Sequence, residues 1–223
     1  MIGSAKVVGM RQKAIDLKSF VKQRGQPYSE LLGIDLGSKR NEEIAKWFLA
    51  AILYSKPIRE SSATKTYRCF AEKGVSSADM ILHTGWDGLV SLLDAGGYTR
   101  YDFSTADKLL EVFGNLKEHY KGDLNLLHEQ ARDSEDLEIR LKALGKGIGE
   151  TTISIFLRDM RLAWSKADPK PTPLVQTAMK KLKIKDMKAL AKGNRLDLVR
   201  LDTALLRLAK DFIRKKKRIR IIV

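Results

Sequence analysis

The sequence predicts an all-α protein of about ten helices, and three observations support that class. Apolar residues recur at the spacing of a helical face along most of the chain. Glycines and prolines interrupt this pattern at intervals, as they do between helices. No neighbouring segments carry the turn residues of a β-hairpin, and the sequence has neither heptads nor internal repeats.

The composition favours a polyanionic partner. Lysine and arginine number 42 against 27 acidic residues, and the formal net charge of +15 points first to nucleic acid. No stretch approaches the ~18 consecutive apolar residues of a membrane span, and the first residues lack the features of a signal peptide. The single cysteine, Cys69, excludes an internal disulfide framework and an iron–sulfur cluster held by several thiolates. We therefore expect a cytoplasmic protein without a membrane partner.

The N-terminal part of the chain leads into one strongly apolar helix. Residues 9–24 predict a first helix that ends at Gly25. Asn41 is a predicted N-cap, since its side chain and the acidic residues of the next turn both suit a helix start. The segment that follows is apolar on most sides and ends at Lys56-Pro57. We expect it to be the central buried helix.

Further helices follow towards the C-terminus. The same periodicity predicts helices over 61–73, from Ser77, over 86–93, from an N-cap at Ser104, and over 123–131, 136–144, 174–182 and 196–215. Three prolines between residues 166 and 173 predict an extended loop. The C-terminal run RKKKRIR predicts a solvated charged segment that could also contact DNA phosphates.

A glycine turn between two helical patterns is the most informative motif of the chain. Helical periodicity ends near Leu144 and resumes at Glu150. Between them, Gly147-Ile148-Gly149 permits positive φ and close approach of the backbone to a ligand. Backbone amides of such a turn, together with the positive end of the second helix, suit a phosphate group. An ordinary αα-hairpin with a glycine turn is an equally good explanation of these residues alone.

Four segments, in this order, carry a resemblance to a known family. They are FLAAILYSK at the end of the central helix, YTRYDFSTADKLLEVF, the hairpin LKALGKGIGETTISIFL, and LDLVRLDTALLRLAKDF near the C-terminus. This set resembles the helix-hairpin-helix DNA glycosylases, in particular the endonuclease III-like branch, whose hairpin is usually written L-P-G-V-G-x-K-T-A. The match covers roughly residues 41–215.

The resemblance implies a bilobal α-helical fold with a cleft between its lobes. Residues 1–40 and 174–223 would form one subdomain and residues 41–173 the other, as one compact unit. The hairpin would grip double-stranded DNA that carries a lesion, and the damaged base would turn out into the cleft. The expected protein is a monomeric base excision repair glycosylase, associated with the nucleoid.

The same resemblance assigns the catalytic carboxylate to Asp168. The family aspartate lies about twenty residues after the second hairpin glycine, and Asp168 follows Gly149 by nineteen, although the family's usual Val-Asp-Thr-His is absent here. A carboxylate beside the sugar stabilises the oxocarbenium-like centre and can orient a water molecule. Asp159 competes for this role, although a carboxylate on the second hairpin helix suits an ion pair with Arg158 or Arg161 better.

Thr151 stands where bifunctional members of the family have a lysine nucleophile. A hydroxyl group cannot form an imine, so we expect a monofunctional enzyme in which water attacks the sugar. Lys146 is the nearest lysine that could replace the missing nucleophile, but a phosphate contact suits it better. The alternatives are a bifunctional glycosylase/lyase that uses another lysine, and a non-catalytic helix-hairpin-helix DNA-binding protein.

The remaining site predictions concern DNA contacts. The expected contacts are the backbone of the hairpin, one or two hydroxyl groups after it, and a wedge that fills the gap left by the flipped base. The residues concerned are Lys146, Gly147, Ile148, Gly149, Thr151 and Thr152 at the hairpin, and Lys56 or Ile58 as the wedge. The resemblance also makes an optional Na⁺ or K⁺ plausible at the carbonyl groups of Gly147 and Gly149.

Overall fold

The chain divides into two compact units. A computed structural model describes residues 15–215 and 221–222, with side chains from residue 16 to residue 211. One unit comprises Met1–Gln26 with Pro173–Val223, and the other comprises Pro27–Thr172. Residues 9–14 of the predicted first helix and the side chains of the RKKKRIR run lie outside the described residues.

Helices dominate the described residues, which confirms the all-α class. They are α1 (Leu17–Arg24), α2 (Tyr28–Leu31), α3 (Asn41–Tyr54), α4 (Glu60–Glu72), α5 (Ala78–Gly96), α6 (Asp102–Tyr120), α7 (Leu124–Gln130), α8 (Ser134–Ala143), α9 (Glu150–Met160), α10 (Pro173–Leu182), α11 (Met187–Asn194) and α12 (Leu198–Lys215). A 3₁₀ turn spans Leu36–Ser38. Two short strands, β1 (Ile15–Asp16) and β2 (Ile221–Ile222), pair in parallel. Within the described residues, no helix has the length and hydropathy that a bilayer crossing needs.

In the unit formed by the two ends of the chain, α1, α10 and α11 pack on α12. Phe20 of α1 and Leu205 of α12 are buried there. The chain leaves α1 through Gly25, where a β-carbon would lie only 2.6 Å from the carbonyl oxygen of Arg200. Arg207 donates a hydrogen bond to the carbonyl of Arg24 at 2.5 Å and so fixes the same end of α1. The amphipathic face predicted for α12 is therefore the core of this unit.

In the other unit, α3 is the central buried helix that the sequence predicts. Every residue from Trp47 to Leu53 is buried. The indole nitrogen of Trp47 donates to the carbonyl of Phe156 at 3.0 Å, which joins α3 to α9. The ring of Phe48 lies 4.9 Å from that of Phe156 and 5.9 Å from that of Phe113, centre to centre. One aromatic side chain of α3 therefore contacts both α6 and α9.

Three local predictions are wrong at the level of helix ends. Asn41 is the first residue of α3 rather than its N-cap, and its side chain instead bonds to the carbonyl of Gly122 and the amide of Leu124. Ser104 lies inside α6, which begins two residues earlier. The two helices predicted from Ser77 onward follow one another without a loop, and Gly85 (φ +68°) makes the kink between them.

Asp159 of α9 fixes the segment that precedes α3. Its carboxylate is fully buried (0 % exposed) and accepts hydrogen bonds from the amide and hydroxyl of Ser29, both at 3.0 Å. It also pairs with Arg158 at 2.8 Å. Residues 27–40 therefore belong to the same unit as α9, and the first boundary falls after Gln26 rather than after residue 40.

We predict that Asp159→Ala lowers the free energy of unfolding by about 3–5 kcal/mol, because it removes one partner of a buried charge pair. Urea denaturation of the full chain measures this change. Glu118→Ala removes a carboxylate from an exposed position of α6 and serves as the control. Equal stability of the two variants would show that Asp159 does not anchor the segment.

Candidate nucleic-acid interface

The predicted hairpin forms between α8 and α9. Gly147 adopts φ +85°, a left-handed conformation that favours glycine. Gly149 is extended and occupies the N-cap of α9, where no side chain covers the first amides of the helix. The Ile148 side chain is 4 % exposed, and its amide donates to the carbonyl of Gly145 at 3.2 Å. Ile148 therefore holds the turn together, and its amide is not a spare donor for phosphate.

Three side chains on one face of α6 hold the backbone of this turn. Each lies three or four residues after the previous one, so they follow one stripe of the helix. Asn115 donates to the carbonyl of Leu144 (2.9 Å), Glu111 accepts from the amide of Lys146 (3.1 Å), and Lys108 donates to the carbonyl of Gly147 (2.8 Å).

Gly145 allows the turn to approach α6 this closely. A β-carbon at that position would lie 2.8 Å from a methyl group of Val112 and 3.2 Å from the side chain of Glu111. The backbone of the turn thus rests directly on α6. Gly145 is required because a β-carbon there would clash with α6, whereas Gly147 is required because of its positive φ.

Lys108 is a buried lysine that contacts the hairpin turn. The residue is only 7 % exposed, and burial, followed by the nearby charge of Lys56, lowers the pKa of its amine to about 8. The ammonium group of Lys56 also lies 5.5 Å from the centre of the Tyr101 ring, and Arg100 lies at the same distance from it. Of these positive groups, Lys108 contacts the glycine turn directly, whereas Lys56 and Arg100 lie against the Tyr101 ring.

The hydroxyl groups predicted to contact DNA differ in exposure. Thr151 is exposed in the first turn of α9. Thr152 is 2 % exposed, so its hydroxyl is inside the protein and the predicted phosphate contact is wrong for this side chain. Lys146 is exposed at the tip of the turn. Among the described residues, no protein group accepts a hydrogen bond from the amides of Gly147 and Gly149.

An acidic residue also lies at the start of α9. Glu150 is exposed and forms an ion pair with Lys142 of α8, which joins the two helices of the hairpin. Its charge favours the helix N-terminus but opposes an incoming phosphate. The positive charge of Lys142 partly offsets this repulsion.

The predicted wedge residues lie in a short turn after α3. Lys56 and Ile58 are both half-buried, and the amide of Ile58 donates to the carbonyl of Lys56 at 2.8 Å. Lys56 lies against the Tyr101 ring, and Ile58 follows it beyond Pro57. Of the two predicted wedge residues, Lys56 is the one whose charge affects Lys108.

Asp168 is exposed in the loop that follows α9. The loop is well anchored on either side of it. Arg161 donates to the carbonyl of Pro169 at 2.8 Å, and Lys166 donates to the carbonyl of His128 at 2.8 Å. The indole of Trp164 is buried against the His128 ring, with centres 4.8 Å apart. The 11 residues of α9, about 16 Å of helix, separate this loop from the glycine turn.

Of the two carbonyl groups named for a monovalent cation, that of Gly147 is an unfavourable ligand, because the ammonium group of Lys108 donates to it at 2.8 Å and would repel a second cation. The carbonyl of Gly149 accepts the first hydrogen bond of α9, from the amide of Ile153 at 3.1 Å. No group of three or more histidine, cysteine or acidic side chains in the described part of the chain could hold a metal ion.

Sequence reasoning missed Lys108, Arg100 and Tyr101. A signal was available for Lys108, because it falls between Thr105 and Val112 on the buried face of α6, where a lysine is out of place. Comparison of the chain with family models, curated proteins and solved structures found no match. The resemblance to helix-hairpin-helix glycosylases thus depends on the residues quoted above.

We predict that the two hairpin glycines respond differently to alanine. Gly147→Ala should lower the free energy of unfolding by about 1–2 kcal/mol, because a left-handed residue acquires a β-carbon. That carbon would also lie 2.6 Å from the Cε atom of Lys108. Gly149→Ala is the matched control, since no described atom would crowd its β-carbon. Urea denaturation compares the two variants. Equal losses of unfolding free energy would contradict the conclusion that only Gly147 requires a glycine for its conformation.

Proposed function

We propose that this protein binds duplex DNA through the α8–α9 hairpin and removes a damaged or deaminated base by hydrolysis. The observation that carries the proposal is the glycine turn itself, where the amides of Gly147 and Gly149 adjoin exposed Lys146 and where the buried ammonium group of Lys108 donates to the Gly147 carbonyl. Backbone amides and cations together suit a phosphate diester, and neither depends on the base sequence. The net charge of +15 supports the same partner.

In the proposed reaction Asp168 supplies the carboxylate. Water attacks the anomeric carbon of the sugar of a flipped nucleotide, the bond to the base breaks, and the base leaves with its bonding electrons. The carboxylate stabilises the developing positive charge and accepts a proton from the water. The contacts of Arg161 and Lys166, which anchor the loop that contains Asp168, support this assignment. Thr151 offers no amine, which favours water as the nucleophile.

This function implies a bilobal glycosylase fold, a monomer, and a place beside chromosomal DNA in the cytoplasm. The lesion is defined only as a damaged or deaminated base in double-stranded DNA. A panel of duplexes with uracil, hypoxanthine, oxidised bases or alkylated purines identifies it. Duplex binding without release of any of these bases would favour the non-catalytic alternative.

Asp168→Asn should abolish base release while duplex affinity stays within about twofold of the unmodified protein, because an amide keeps the shape but not the charge. Strand breaks after alkali measure base release, and a gel shift measures affinity. Glu118→Gln makes the same chemical change at an exposed position of α6 and should stay active. A fully active Asp168→Asn variant would exclude Asp168 from the chemistry.

We expect borohydride to trap no covalent adduct between this protein and the DNA substrate. Trapping requires an imine, and Thr151 cannot form one. Strand breaks should therefore appear only after alkali. An adduct that disappears in Lys146→Ala would establish the bifunctional alternative, with Lys146 as its nucleophile.

A further inference from the structure

Lys108 places a positive charge directly beneath the hairpin turn. Its ammonium group donates to the carbonyl of Gly147 at 2.8 Å, and the residue is 7 % exposed. Lysines at protein surfaces usually extend their charged end into water. Here the charge is held against the backbone of the turn instead.

The protein itself compensates this charge poorly. Within the described residues, Lys108 forms no ion pair. Glu111, one turn along α6, directs an oxygen to the amide of Lys146, and Lys56 adds a second positive charge. A buried cation next to another cation is costly unless an anion or a strong acceptor is supplied. The Gly147 carbonyl supplies the acceptor, and an anionic ligand would supply the rest.

We propose that the ammonium group of Lys108 supplies the hairpin with a positive charge of its own. It holds the Gly147 carbonyl and fixes a positive charge beside the phosphate that the turn binds. Duplex binding therefore requires no monovalent metal ion at the turn. The inference rests on DNA binding by the hairpin as proposed above. Lys108 acts through Gly147 and is a positioning residue.

Chemical rescue tests the proposal with the full-length protein and a short duplex. Lys108→Ala should weaken duplex binding by about 10- to 100-fold, the worth of one hydrogen bond from a charged group. Propylammonium, which replaces the deleted atoms, should restore most of the affinity. Tetramethylammonium at the same concentration carries a charge but no N–H group and should restore none. Affinity of the unmodified protein should be the same in K⁺ and in tetramethylammonium.

Lys146→Ala is the matched control, because it also removes a lysine of the hairpin. Its exposed side chain contributes charge without holding the turn, so its affinity should fall but should not recover with propylammonium. Three results would overturn the proposal. They are normal binding by Lys108→Ala, equal rescue of both variants, and loss of wild-type binding when K⁺ is withdrawn.

A pH series adds a readout that a merely structural role would not move. The pKa of Lys108 is lowered to about 8, so its charge is present at pH 7 and largely lost at pH 9. Duplex affinity should therefore fall between these values. Lys56, Lys146 and Glu111 also face this position. The change of affinity with pH is therefore compared between the unmodified protein and Lys108→Ala, and it should be smaller in the variant. Equal slopes would exclude Lys108 as the cation.

A measurement without DNA separates this inference from the proposed function. The amide of Ile148 bonds within the turn and should exchange with solvent faster in Lys108→Ala, and propylammonium should slow it again. Unchanged exchange would show that Lys108 does not hold the turn. If the unmodified protein binds no duplex while exchange responds as expected, the proposed function fails and the contact with the turn stands.

Discussion

The burial of α3 is the constraint on which the unit carrying the hairpin depends. A helix that is apolar on nearly every side must be covered by several neighbours, because exposed apolar surface costs roughly 25 cal/mol per Å². Phe48 shows the consequence, since it contacts both Phe113 of α6 and Phe156 of α9. These are the helices that support the turn and extend from it. The position of the hairpin is thus set by the packing of α6 and α9 on α3, away from the glycines themselves.

The turn has few means of holding its own shape. Glycines occupy three of its positions, and they contribute no side-chain contacts while losing the most conformational freedom on folding. Lys108, Glu111 and Asn115 of α6 replace those contacts through hydrogen bonds to the backbone. Within the described part of the chain, the amides of Gly147 and Gly149 keep no protein acceptor in this arrangement. A surface made of backbone donors is insensitive to base sequence, which the proposed function requires of the hairpin.

The sequence predicted features that depend on local chemistry. The central helix and the turn at Gly147 followed from apolar content and from the conformations that glycine alone adopts easily. Contacts between distant residues were not predictable in this way. Ser29 and Asp159 are 130 residues apart, so the boundary at residue 40 was misplaced. Asn41 has good capping chemistry, yet the α6–α7 connection offers it partners that a capping rule does not consider. Lys108 was missed because periodicity assigns lysine to the solvent.

The exposed position of Asp168 has a consequence for the proposed chemistry. An exposed carboxylate interacts weakly with a developing positive charge, because water screens it. The same carboxylate acts strongly once water is excluded and the partner charge is held at contact distance. The protein fixes the loop through Arg161 and Trp164. Under the proposed function, bound DNA would supply the exclusion of water. In this mechanism, binding at the hairpin and bond cleavage at Asp168 are therefore coupled. Under the proposed function, a weakened hairpin would slow cleavage even when the loop is intact.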